Sequence, residues 1–122
     1  MVARKPLIIT VLLWALLAGW QSNASAHAFL EGAEPGVGAE LTSPPSRVVL
    51  YFDGALELAF STLRIEDAAG KVVAQEQGSD SGSSMRLSVT LPPLPAGDYK
   101  VYWSVVSRDG HESVGDYTFT VR

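Results

Sequence analysis

From Val48 onward, apolar and polar residues follow one another in short runs with the two-residue period of a strand. Val48-Val49-Leu50-Tyr51-Phe52 is an apolar run of strand length. Thr62-Leu63-Arg64-Ile65-Glu66 alternates, with Leu63 and Ile65 inward. Lys71-Val72-Val73-Ala74 returns after the turn Ala68-Ala69-Gly70, so the two runs predict a hairpin. Gln77 to Ser84 is rich in Gly and Ser and reads as an exposed loop. Met85 to Leu91 alternates with its odd positions apolar. The punctuation Pro92-Pro93-Leu94-Pro95-Ala96-Gly97 then precedes a long strand from Asp98 to Ser107, with Tyr99, Val101, Trp103 and Val105 on one face. Asp116 to Val121 closes the chain with Tyr117, Phe119 and Val121 inward. Helical periodicity is hard to find after the first 26 residues, and there is no internal repeat. About seven short strands predict an all-β fold, a small antiparallel β-sandwich with Greek-key connections.

The first 26 residues have a different character. Arg4 and Lys5 form a positive start, Leu7 to Gly19 is apolar, and Trp20 to Ser25 is more polar. The segment ends in Ala24-Ser25-Ala26, an A-x-A processing site. This is the order of a secretory signal, so residues 1–26 are expected to be removed and 27–122 to form one domain. The apolar run falls short of the roughly 20 residues of a membrane span. With the well-formed A-x-A site, that argues against an uncleaved anchor. The chain has no cysteine, which excludes a lipid anchor at the processed end and disulfides in the exported domain. Its formal net charge is −4, and losing Arg4 and Lys5 leaves the remainder more acidic still. Nucleic acid and anionic membrane surfaces are therefore poor partners, and a monomer is expected.

The cleavage site gives the chemistry its starting point. The chain contains two histidines, and His27 directly follows Ala26. Cleavage there makes histidine the first residue, so its free α-amine and ring Nδ1 can chelate one metal ion in a six-membered ring. The other, His111, lies in Asp109-Gly110-His111. Asp109 and His111 are two apart, so on an extended backbone they project to the same side. Gly110 permits a bend between them. Asp109-Gly110 is also an ordinary hairpin-turn dipeptide, and each histidine taken singly is an ordinary surface residue. Jointly the three residues supply three nitrogens and one oxygen, the tetragonal N,O set that Cu(II) prefers. Zn(II) accepts similar ligands but prefers a tetrahedron. Cu(I) favours sulfur, and the processed chain keeps one methionine, Met85.

The sequence resembles the periplasmic copper-resistance proteins of the CopC type along its whole processed length. The similarity runs through His27-Ala28-Phe29-Leu30, Glu34-Pro35-Gly36-Val37-Gly38-Ala39 and Val49-Leu50-Tyr51-Phe52. It is tightest from Ala96 to Ser107, then continues through Asp109-Gly110-His111, Gly115, Thr118-Phe119 and Val121. The resemblance implies an immunoglobulin-like, cupredoxin-resembling sandwich in the periplasm that binds one Cu(II) through the His27 amine and ring, Asp109 and His111. It also implies a role in copper homeostasis or resistance, as a carrier or buffer, with a membrane copper transporter of the CopD type as candidate partner. Two features depart from the family. The Met-rich Cu(I) loop of some members corresponds here to the Met-poor stretch Gln77 to Met85. Many members also place a Glu near the metal after the Leu-x-Phe strand. The nearest acids here are Asp53 and Glu57, whose simplest reading is solvated turn carboxylates.

Two other function classes stand beside the carrier. A copper-dependent oxidative enzyme also uses an N-terminal histidine, but oxygen activation needs an open equatorial position that Asp109 fills. A non-metal sandwich module for protein contact leaves the placement of His27 unexplained. No Ser/His/Asp arrangement for hydrolysis is recognisable. The expectation is therefore a binding protein rather than an enzyme.

Overall fold

The computed structural model describes residues 28–77 and 83–122. The expected leader 1–26, His27 and residues 78–82 of the predicted Gly/Ser-rich loop lie outside the described residues. The strands are β1 (Leu30–Glu34), β2 (Glu40–Leu41), β3 (Arg47–Phe52), β4 (Thr62–Asp67), β5 (Val72–Gln77), β6 (Arg86–Thr90), β7 (Gly97–Val106) and β8 (Glu112–Val121). They form two sheets, one in the order β1-β3-β6 and one in the order β2-β8-β7-β4-β5.

The alternation read from the sequence is what joins the sheets. Val48, Leu50 and Phe52 of β3 and Leu87 and Val89 of β6 face Leu63 and Ile65 of β4, Val101 and Val105 of β7, and Phe119 of β8 across one buried cluster. Burying a side chain of this size contributes roughly 1.5–3 kcal/mol, so the sandwich closes without a disulfide. Tyr99 stacks on Phe119 with ring centroids 5.5 Å apart. Its hydroxyl donates to the carbonyl of Pro95, tying the strand to the proline-rich turn before it. The predicted β4–β5 hairpin closes at Asp67, whose Oδ1 accepts from the amides of Ala69 and Lys71, with Gly70 at φ 80°.

Three expectations are corrected. Strand β8 begins at Glu112 rather than Asp116. Its first residues, Glu112-Ser113-Val114-Gly115, carry little strand signal and are held by pairing with Val106 to Trp103 of β7. Strands β1 and β2 lack the alternation that reveals the others. β2 is two residues long and pairs with β8 in parallel, Glu40 opposite Thr120, so the sandwich is antiparallel except at this edge. Met85, an odd position of the alternating run, is 40% exposed because it precedes β6 at the rim of the core.

One pole of the sandwich gathers the start of β1, the ends of β3 and β7, and the starts of β6 and β8. All the described residues singled out for chemistry lie there.

Candidate metal centre

The β7–β8 hairpin carries the first half of the site. Its loop closes with the Gly110 amide donating to the Ser107 carbonyl and the Ser107 amide donating to the His111 carbonyl, both at 2.9 Å. Gly110 has φ 87°, a left-handed conformation in which a side chain is strained. This is the pattern of a short hairpin loop ending on a left-handed glycine. Asp109 and His111 do meet, but through the turn and not through strand alternation. The His111 Nδ1 atom lies 2.9 Å from Asp109 Oδ2, with side-chain exposures of 61% and 26%.

The other carboxylate oxygen has a different task. Asp109 Oδ1 accepts from the Ser107 hydroxyl and, at 3.2 Å, from the His111 amide. The Ser107 hydrogen bond, with those from His111 and its charge, lowers the Asp109 pKa to about 2 against the opposing effect of burial. The carboxyl is therefore ionised at any physiological pH. Ser107 itself is 1% exposed. A buried hydroxyl needs a partner, and this one finds its partners inside the loop.

These distances suit a metal. Adjacent donors on a square plane with bonds of about 2.0 Å stand about 2.8 Å apart. The Oδ2–Nδ1 pair already has nearly that spacing. Among the described residues no third His, Cys, Asp or Glu completes a set. A full site therefore needs a donor from elsewhere, and His27 is the remaining histidine.

Asp53 departs from its simplest reading. It is exposed, yet its Oδ1 accepts the Phe29 amide at 2.7 Å, and its own amide donates to the Phe29 carbonyl at 2.9 Å. Ala28, adjacent to His27, is 1% exposed in the core. The start of the domain is thus pinned at the same pole. The segment after Asp53 reaches the other half of the site. The Ala55 carbonyl accepts the Arg108 amide at 3.2 Å, Leu56 forms an isolated bridge with Ser107, and the Glu57 amide donates to the Val106 carbonyl at 2.7 Å. Residues 53–57 therefore fasten both the N-terminal arm and the Asp109–His111 loop. The Glu57 side chain is exposed, consistent with a solvated turn carboxylate.

Sequence reasoning missed Ser107 and the bridging role of 53–57. One signal for Ser107 was present: it continues the inward positions 99, 101, 103 and 105, and a polar residue at such a position requires a hydrogen-bond partner. The Asp53 bond is to backbone across 24 residues and leaves no side-chain pattern to read.

The known proteins this chain resembles share this architecture. A family model described as the CopC domain matches residues 30–122. The crystal structure of CopC from Methylosinus trichosporium OB3b superposes with a TM-score of 0.73 at 36% identity, covering 78% of this chain and 93% of that one. PcoC, a methionine-rich copper resistance protein from Escherichia coli, gives 0.70 at 30% identity, covering 80% and 100%. Copper resistance protein C of Pseudomonas syringae pv. tomato is 32% identical over 106 residues, 81% of this chain and 83% of that protein. PcoC and the Pseudomonas protein are named for copper resistance, in agreement with the expectation of a binding protein rather than an enzyme. Fold, length and family model agree: the chain belongs to the CopC family.

Proposed function

We propose that this is an exported Cu(II)-binding protein of copper homeostasis that carries or buffers one copper ion in the periplasm. Residues 1–26 are removed, and the ion, as cargo, is held by the α-amine and ring of His27, by Asp109 and by His111. The observation that carries this reading is the shared anchorage. The Asp109–His111 pair, 2.9 Å apart, and the N-terminal arm held through Phe29 are fastened by the same segment, 53–57. His27 directly precedes Ala28 in the sequence, and Ala28 is buried at this pole. The donor chemistry supports copper. Three nitrogens and a carboxylate oxygen suit Cu(II), which also heads the divalent affinity series, while one methionine in the processed chain gives little hold on Cu(I). The ion takes its ligands in their unprotonated forms, so its uptake competes with protons. The relatives' names support resistance as the physiological setting. A membrane copper transporter of the CopD type is the partner this role calls for, with the carrier itself a monomer.

Titration of the processed protein tests the ligand set. One equivalent of Cu(II) is expected, with nitrogen coupling in the electron spin resonance spectrum. His111→Ala should lose part of that coupling and weaken binding by about 100-fold or more, beyond the loss of about 10–100-fold typical of outer-shell partners. Asp109→Ala should cost less, because water replaces an oxygen ligand. A His111→Ala protein with the parent spectrum removes His111 from the site.

A further inference from the structure

The buried serine at the base of the metal loop has no part in the ligand set, and its bonding suggests why it is there. We propose that Ser107 is a positioning residue for metal uptake: its hydroxyl ties Asp109 Oδ1 into the loop, so that Oδ2 alone is presented beside His111. The inference rests on the copper reading above and adds a division of labour within one carboxylate. Oδ1 is occupied by the Ser107 hydroxyl and the His111 amide, and Oδ2 faces His111 Nδ1 at 2.9 Å. The serine is itself held firmly. It is 1% exposed, its amide donates to the His111 carbonyl, and it bridges to Leu56. Its hydroxyl also lies 3.2 Å from the His111 carbonyl, so one oxygen touches the loop on either side of Gly110. A carboxylate free to rotate loses orientation entropy when it ligates, whereas one already fixed at the second oxygen does not. Ligation through Asp109 is therefore monodentate and pre-set.

The test is a double-mutant cycle on the processed protein, with Cu(II) affinity measured by competition against a chromophoric chelator at fixed pH. Ser107→Ala keeps the backbone bonds of residue 107, so the metal-free protein should retain its near-ultraviolet circular dichroism and melt within a few degrees of the parent. It should bind Cu(II) about 10–100-fold more weakly. In the Asp109→Ala background the same change should cost no more than about twofold, because the carboxylate it positions is gone. Equal cost in both backgrounds means that Ser107 acts through the fold at large and overturns the proposal, as does parental affinity in Ser107→Ala. A parent that binds no Cu(II) fails at the first measurement and overturns the copper reading together with this one.

Discussion

Removing the Asp53 side chain isolates the clamp on the N-terminal arm. In Asp53→Ala the backbone bond from the residue 53 amide to the Phe29 carbonyl remains, and only the 2.7 Å bond from the Phe29 amide to Oδ1 is lost. A hydrogen bond to a charged group contributes roughly 1.5–3 kcal/mol in protected surroundings. Asp53 is exposed, so about 1 kcal/mol is the reasonable figure, which is about a fivefold shift in the ratio of docked to undocked arm. Copper that binds only with the arm docked loses apparent affinity in step with the docked fraction, by about fivefold at most. Two readouts should therefore move in the same direction. Hydrogen exchange of the Phe29 amide in the metal-free protein should quicken about fivefold, and Cu(II) affinity should weaken by up to about fivefold. Asp53→Asn keeps an acceptor oxygen and should recover most of both. The electron spin resonance parameters of the loaded variants should match the parent, since Asp53 positions the arm and does not ligate. Unchanged Phe29 exchange would refute the clamp, and a changed copper spectrum would make Asp53 a ligand instead.

Two further outcomes follow from the geometry. A Cβ on Gly115 would lie 2.2 Å from Cζ2 of Trp103, so Gly115→Ala must displace an indole packed against the core. It should destabilise the domain by about 1–3 kcal/mol in urea unfolding and red-shift tryptophan emission, and an unshifted spectrum would contradict the packing. The second outcome concerns pH. The amine and two imidazoles of the proposed set bind only in their unprotonated forms, so protons compete with the ion. Copper affinity should fall as pH drops from 8 to 5, with a slope no steeper than three protons per ion. Asp109, lowered from 3.8 to about 2, adds no proton in that window. A depressed folded-state value means that the carboxylate stabilises the fold above about pH 4 and loses this contribution as pH falls towards 2. Acid unfolding of Asp109→Asn should lack that component, and a slope of four between pH 8 and 5 would place the carboxylate in the wrong protonation state.

The sheets were legible where alternation was strong. β3, β4, β6 and β7 owe their inner faces to period-two apolar residues that need burial whatever the partner, and the β4–β5 turn declares itself in Gly70. β1, β2 and the start of β8 were not legible, because their pairing comes from neighbours and not from their own side chains. Gly115 is the clearest case. It weakens the strand signal, yet glycine is what allows Trp103 to cross it. At the site, residue type and spacing pointed to Asp109 and His111. Their meeting depends on the positive φ of Gly110 and on the two hydrogen bonds to Asp109 Oδ1, and no periodicity reports either. Asp53 and Ser107 act on atoms contributed by distant backbone or by a neighbour's second oxygen. Their roles became readable only once the fold was known.

The central claim is that the α-amine of His27 is a copper ligand, and one added residue tests it. Two proteins are compared, one shown by intact mass to begin at His27 and one carrying a single methionine before it. The extension turns the amine into an amide nitrogen, which does not bind metal near neutral pH unless deprotonated, while the His27 ring, Asp109, His111 and the sandwich are untouched. Cu(II) affinity should drop by orders of magnitude, with the melting temperature of the metal-free protein unchanged. Equal affinity in the two proteins contradicts the N-terminal histidine site and the carrier function built on it.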